Sequence, residues 1–157
     1  MWDLKKVGDG LYRAVVRRGF MVADIRKRKV VDEFRHPALN ELTAICDLPD
    51  GGFLACVSPG GYGKTNDIEV VEFDGDGSIK SVWKAEQEPG RRNFFYAQPQ
   101  ELPNGHVYIC NWTGHGELDS KRGWQVLEFD SRGKVVWHLD DWERFGSLSG
   151  IDVLQTP

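Results

Sequence analysis

Short runs of alternating apolar and polar residues recur along the chain, and each run is bounded by a turn signal. Two long stretches, residues 41–83 and 95–137, repeat the same order of features. Each has a strand, an Asp-Gly or Asn-Gly turn, a second strand, a polar loop, a third strand ending in Glu-Phe-Asp, a short Gly-containing turn and a fourth strand with a Trp. Alternation between such turns is typical of antiparallel hairpins. The pattern predicts a repeated four-stranded antiparallel unit.

The remainder of the chain follows the same template less closely. A looser copy covers the N-terminus, so we place three units at about residues 1–36, 40–85 and 94–140, with a closing strand at 149–155. A spacing of about 40–55 residues is in the range of β-propeller blades. A β-sandwich or an open meander would need a similar strand count, but neither explains a repeat in fixed order. No stretch has a sustained helical period, and only residues 140–145 fit one short helical turn.

One part of the sequence is similar to a known family. "LPNGHVYICNWTGHG", then "WQVLEFDSRGKVVWHLDD", then "SGIDVL" resembles the final blade of PQQ-like (quinoprotein-like) β-propellers. The resemblance is strong over residues 94–154 and fair over 40–84. Because such propellers usually have about six to eight blades, it implies an all-β fold of about three four-stranded antiparallel blades, the carboxy-terminal half of a ring. The resemblance is no evidence for bound PQQ, because quinone-dependent dehydrogenases need a complete ring and a calcium site, and the sequence has no visible Asp/Asn calcium loop.

The repeated residues have simple structural roles in this prediction. Trp83 and Trp137 stand near the ends of fourth strands and are expected to be buried between neighbouring units. Asp74 and Asp130 precede Gly-containing turns and are expected to cap them through their side chains. Their pairing with a Glu two residues earlier also fits acid/base chemistry, but the recurrence at equivalent positions favours the structural role.

The best candidates for a site follow the second strand of the last complete unit: Asn111, Trp112, Thr113 and His115. Loops at such positions often carry ligand contacts because rigid strands hold them in place. The alternative is an ordered corner of the repeat. Arg91 and Tyr62, from neighbouring loops, complete the predicted ligand-binding set. The four histidines show no HxH or HxxxH spacing, so no metal site is predicted.

Composition and charge limit the kinds of binding partner and the cell compartment that the sequence predicts. The chain has 157 residues and a formal net charge of -4, which argues against nucleic-acid binding. No apolar run approaches the roughly 18 residues of a membrane span, and the first residues lack a signal-peptide core. The resemblance nevertheless implies relatives that are often extracytoplasmic, which leaves the compartment open. The three cysteines have no CxxC spacing and are interpreted as buried thiols.

These observations favour a non-enzymatic recognition or scaffold module. The expected ligand is a carbohydrate or another small polar molecule, bound where the loops after the second strands converge, and no cofactor is expected. A propeller-class enzyme (hydrolase, lyase or oxidoreductase) that uses His115 is the main alternative, although no nucleophile with an adjacent base is apparent. A purely structural protein-interaction domain is another. The expected partner that completes the ring is either a missing half or a second copy of the chain.

Overall fold

The structure is a computed structural model that describes residues 3–60, 68–86, 89–114 and 122–154. Within these ranges, twelve strands form three four-stranded antiparallel sheets in which consecutive strands are neighbours, as predicted. A single short helix, α1 (Trp142–Phe145), confirms the helical turn expected at 140–145. Sheet 1 contains β1 (Leu4–Gly8), β2 (Leu11–Val16), β3 (Gly19–Asp24) and β4 (Lys29–Arg35). Sheet 2 contains β5 (Leu42–Asp47), β6 (Phe53–Val57), β7 (Glu69–Phe73) and β8 (Ile79–Trp83). Sheet 3 contains β9 (Tyr96–Glu101), β10 (Val107–Asn111), β11 (Val126–Phe129) and β12 (Val135–Leu139).

The hydrophobic core lies between successive sheets. Between sheets 1 and 2, the rings of Phe20, Phe34, Phe53 and Phe73 form one cluster, in which Phe53 and Phe73 stack with their centroids 4.7 Å apart. Between sheets 2 and 3, a second cluster of buried residues includes Leu54, Trp83, Tyr96, Ile109 and Phe129. Each sheet therefore buries apolar side chains against the next one in the chain.

Polar contacts also join neighbouring sheets, and they involve the first or second strand of each sheet. The hydroxyl of Thr43 on β5 lies 2.7 Å from the carbonyl oxygen of Tyr96 on β9. Arg13 on β2 forms a two-point ion pair with Asp47 on β5, with Nη2 3.1 Å from Oδ2. Burial acts to raise the pKa of Asp47, but hydrogen bonds and charge from Arg13 and Lys5 outweigh it and hold this pKa below its usual value.

The turn between the third and fourth strands is built in the same way in sheets 2 and 3. Oδ1 of Asp74 accepts hydrogen bonds from the backbone N–H groups of Asp76 and Ser78. Oδ1 of Asp130 accepts them from Arg132 and Lys134. These bonds confirm the predicted turn-capping role. The bond from Lys134 is the largest cause that lowers the pKa of the Asp130 carboxyl.

The same turns form a recurring joint between sheets. Gly77, at φ +87°, packs on the ring of Phe34 in sheet 1, and a Cβ added to it would lie 2.8 Å from Cε2. Gly133, at φ +78°, packs on the indole of Trp83 in sheet 2, and an added Cβ would lie 2.2 Å from Cδ1. The positive φ and the ring contact both require glycine. Each joint therefore fits a turn glycine of one sheet against a large ring on the outer strand of the preceding sheet.

The prediction for the two tryptophans is right for one and wrong for the other. Trp83 is buried, at 7% exposure, whereas Trp137 is 46% exposed. The reason is that the two tryptophans occupy different positions along their strands. Trp83 pairs with Val70 and Trp137 pairs with Glu128, although the counterpart of Val70 on β11 is Val126, which pairs with Leu139. Leu139 therefore takes the place of Trp83 in sheet 3, and Trp137 lies two residues earlier.

Replacement of Gly133 by alanine tests the joint. The added methyl group would collide with the Trp83 indole, so we expect a loss of about 2–3 kcal/mol in the free energy of unfolding. Gly51 is a matched control, because its φ is +89° and an added Cβ would meet nothing within 4 Å. Gly51→Ala should cost only about 1 kcal/mol of backbone strain. Equal losses for the two variants in urea denaturation would contradict the described joint.

Residues 149–154 follow α1 and run along β9, but they form no strand, unlike the predicted closing strand. The side-chain amide of Gln100 holds this segment, because its Oε1 accepts from the N–H of Val153 at 2.8 Å and its Nε2 donates to the carbonyl of the same residue at 3.3 Å. Gly150 packs closely against Gln98. The segment thus lies on sheet 3 through side-chain contacts.

Candidate functional site

The predicted site begins where β10 ends, at Asn111. This side chain is fully buried. Its Oδ1 accepts from the N–H of Phe94 at 2.9 Å, and its Nδ2 donates to the carbonyl oxygens of Arg92 and Trp124 at 2.8 and 2.9 Å. Both amide protons and one acceptor position are therefore committed to the backbone. Asn111 ties three chain segments together, which fits the ordered-corner alternative and leaves it one acceptor position.

Thr113 lies beside this corner and is also fully buried. Its hydroxyl has no hydrogen-bond partner in the structure. Its methyl group faces Gly123, where an added Cβ would lie 2.8 Å from Cγ2 of Thr113 and 2.3 Å from the carbonyl oxygen of Arg92. Only glycine fits at position 123, because a side chain would displace the backbone of a neighbouring loop. The loops around Thr113 are thus packed closely onto each other.

Trp112 stands between these two buried residues and is itself half-buried. The centre of its ring lies 6.0 Å from that of Phe94 and 5.8 Å from that of Phe95, and its backbone N–H donates to the backbone carbonyl of Phe95 at 2.8 Å. The guanidinium carbon of Arg92 lies 4.6 Å from the centre of the Phe94 ring. We call this group, Arg92, Phe94, Phe95 and Trp112, the aromatic cluster. It presents a partly exposed indole beside a cation.

Arg91 forms an ion pair with Asp140, which lies between β12 and α1. The two side chains are about one-third exposed, at 32% and 29%, so the pair is of modest strength. It links the loop before β9 to the loop after β12. The structure therefore brings Arg91, Asn111, Trp112 and Thr113 to the loops at the same end of sheet 3, whereas His115 and Tyr62 lie outside the described residues.

Sequence reasoning missed the residues that anchor this end of the sheet. Gln125 is fully buried, its Oε1 accepts from the N–H of Asp141 at 2.6 Å, and its Nε2 donates to the carbonyl oxygen of Gly146. Nε1 of Trp142 donates to the carbonyl oxygen of Gly123 at 3.1 Å. The sequence did contain one indication of this anchor, a Gln within an apolar stretch. A buried amide needs hydrogen-bond partners, so such a Gln predicts contacts to other segments.

Other groups with catalytic potential are accounted for by local contacts. Oε1 of Glu128 lies 2.6 Å from Nδ1 of His106. Burial, together with the hydrogen bond and negative charge of Glu128, raises the pKa of Tyr108 to about 12. Cys56 and Cys110 are buried, as predicted, whereas Cys46 is half-buried. Burial raises the pKa of the Cys110 thiol to about 12, which makes it unreactive. Over the described ranges, no three His, Cys, Asp or Glu side chains come together as a metal site.

Comparisons with proteins of known structure identify the fold. No family model and no curated protein matches the chain. A Bacteroides caccae protein of unknown function is 26% identical, with a TM-score of 0.66 over 94% of this chain. The WD40 β-propeller domain of Doa1 is 18% identical, with a TM-score of 0.55 over 89% of the chain. The chain has a β-propeller fold. Its three sheets are three blades, which we call blades 1, 2 and 3.

A streptogramin B lyase is also similar, at 11% identity and a TM-score of 0.56 over 89% of this chain. The chain spans about half of the Bacteroides caccae protein (52%) and 40% of the other two proteins. At these identities, the likeness to the WD40 domain and the lyase concerns the fold alone. In the described part of the chain, no helix is long and apolar enough to cross a membrane.

Proposed function

We propose that this β-propeller module recognises a carbohydrate or another small polar ligand at the aromatic cluster without transforming it. The observation that carries this proposal is the half-buried Trp112 held between the fully buried Asn111 and Thr113. An indole fixed in this way offers a flat apolar face whose orientation costs no further ordering on binding. The C–H face of a sugar ring is apolar and slightly positive, so it suits the negative face of an indole.

Polar groups around the indole support binding of a hydroxylated molecule. The guanidinium group of Arg92 lies over the Phe94 ring within the cluster, and Arg91 is partly exposed next to its partner Asp140. Charged donors and acceptors at the edge of an aromatic platform are a common way to fix the orientation of a polar ligand. In this proposal Asn111 acts as a positioning residue, whereas His115 and Tyr62 are proposed contacts on the evidence of the sequence alone.

The module is also proposed to be a part of a larger ring. Neighbouring blades in a propeller cover each other's faces, so the open faces of blades 1 and 3 favour association with further blades. The PQQ-like assignment is retained as a proposal about ancestry, which rests on the motifs of residues 94–154.

The binding proposal is tested by Trp112→Ala in a glycan and metabolite screen. We expect wild-type protein to retain one or more polar ligands, Trp112→Ala to lose them at least about tenfold in affinity, and the melting temperature to change little. Trp137→Ala is a matched control, because Trp137 is also partly exposed but lies on the outer strand β12. His115→Ala, measured in parallel, tests the sequence-based contact.

Two results would contradict recognition at this cluster. Unchanged ligand binding by Trp112→Ala would place the ligand elsewhere. Turnover of a bound ligand, with a rate that falls on protonation of a group near pH 6–7 and is lost in His115→Ala, would instead establish the enzyme alternative.

A further inference from the structure

A cleft of about 340 Å³ lies between the fourth strands of blades 2 and 3. Blade 2 contributes Lys84 and Glu86, which follow β8. Blade 3 contributes Trp124 and residues 134–138, which include most of β12. This volume is within the range of sites for small molecules. No side chain of the aromatic cluster lines the cleft, so it is a separate candidate for binding.

The backbone on both sides of this cleft is fixed by contacts of its own. Ala85, between Lys84 and Glu86, is buried at 6% exposure in the core cluster between blades 2 and 3. On the other side, the N–H of Lys134 donates to Oδ1 of Asp130 at 2.9 Å, and its carbonyl oxygen accepts from the N–H of Asp130 at 2.8 Å. The segments that carry Glu86 and Lys134 are therefore ordered before any ligand arrives, which lowers the cost of binding.

An aromatic pair forms part of the lining. The indole of Trp124 is buried, at 6% exposure, and the imidazole of His138 stacks on it with the ring centres 4.7 Å apart and the planes at 28°. His138 is itself exposed, and the half-buried Val135 lines the same cleft. Flat aromatic and aliphatic surfaces of this kind favour contact with an aromatic or large apolar group.

The charged side chains of the cleft are of both signs. Nζ of Lys84 lies 2.5 Å from Oε1 of Glu69, so its charge is balanced within blade 2. Glu86 and Lys134 are exposed, and among the described residues neither has an ion-pair partner, although both line the same cleft. Two opposite charges that do not join directly suit a ligand with a positive group for Glu86 and a negative group for Lys134.

We infer that the cleft between Glu86 and Lys134 binds an α-amino acid with an aromatic or large apolar side chain. The ligand's ammonium group pairs with the Glu86 carboxylate, its carboxylate pairs with the Lys134 ammonium group, and its side chain lies against the stacked rings of Trp124 and His138. A purely anionic ligand would meet the charge of Glu86, and a purely cationic one the charge of Lys134, so the cleft selects a molecule that carries both. The inference does not depend on ligand binding at Trp112 or on completion of the ring.

Isothermal titration of the full chain with L-tryptophan, L-phenylalanine and L-leucine tests the inference. We expect at least one of them to bind with a dissociation constant below about 1 mM. Tryptamine and indole-3-propionate, which lack the carboxylate and the ammonium group, should each bind at least about tenfold more weakly than L-tryptophan. Glu86→Gln should abolish the preference for L-tryptophan over indole-3-propionate, and Lys134→Gln should abolish its preference over tryptamine.

Glu143→Gln and Lys6→Gln are the matched controls, because these exposed residues lie outside the cleft and give the same changes in net charge. Both controls should bind like the wild-type protein, and all four variants should keep its melting temperature. Absence of binding by all three amino acids, or binding that neither Glu86→Gln nor Lys134→Gln weakens, would overturn the inference. Trp112→Ala should leave amino-acid binding unchanged, whereas a loss in this variant would place the amino acid at the aromatic cluster and also overturn it.

Discussion

Trp83→Ala is expected to lower the free energy of unfolding by about 3–5 kcal/mol, the usual cost of truncating a buried aromatic side chain. Trp83 is 7% exposed, stacks on Phe129 at 6.1 Å and fills the space above Gly133. Its loss would leave a cavity between blades 2 and 3, which rigid strands on both sides cannot close. Urea denaturation followed by circular dichroism measures the change.

Trp137→Ala is the matched control for this experiment. Because Trp137 is 46% exposed, its removal should cost no more than about 1 kcal/mol. The two tryptophans have the same chemistry and both lie on fourth strands, so the difference between the variants isolates burial at the joint. A cost for Trp137→Ala as large as that for Trp83→Ala would contradict the exposed position of Trp137 on β12.

Asn111→Ala is expected to be as damaging, with a loss of about 3–5 kcal/mol in the free energy of unfolding. The substitution would leave the N–H of Phe94 and the carbonyl groups of Arg92 and Trp124 without their partner. Each buried polar group that loses its hydrogen bond costs about 1–3 kcal/mol. The loops that hold Trp112 would loosen as well, so ligand binding should fall together with stability.

Asn40→Ala controls for the loss of an asparagine side chain in a loop. Asn40 donates one hydrogen bond, to the carbonyl of Pro59 at 3.0 Å, in an exposed setting, and its removal should cost about 0.5–1 kcal/mol. An Asn111→Ala protein that unfolds at the same urea concentration as Asn40→Ala would show that the corner at the end of β10 is not a structural anchor.

The strands and turns were predictable because they are encoded locally. Asp-Gly and Asn-Gly turns, period-2 alternation and the repeated Glu-Phe-Asp ending identify hairpins without knowledge of the rest of the fold. The error at Trp137 came from a detail that the sequence also contains. Trp83 stands six residues after Gly77, whereas Trp137 stands only four residues after Gly133, so the two indoles occupy different positions in their blades.

The contacts that shape the candidate site were less predictable because they join distant parts of the chain. The sequence identified the stretch from Asn111 to Thr113 as special, but it did not show that the Asn111 amide binds the backbone at positions 92, 94 and 124. Nor did it show that Gln125 anchors the segment that contains α1. Such pairings depend on how blades and loops meet, which hydrophobic periodicity does not record.

Every backbone ladder in the described residues begins and ends within one blade. Contacts from blade to blade are made largely by side chains, such as the hydroxyl of Thr43 and the ion pair of Arg13 with Asp47, together with a backbone hydrogen bond from the N–H of Leu42 to the carbonyl of Arg17 at 3.3 Å. A whole blade can therefore be gained or lost by duplication or deletion in the gene without opening a single ladder, provided that the ring and turn residues at the new boundary match. The ring can therefore change in size by whole blades of about 40–50 residues. Compatibility at each new boundary depends on a few side chains.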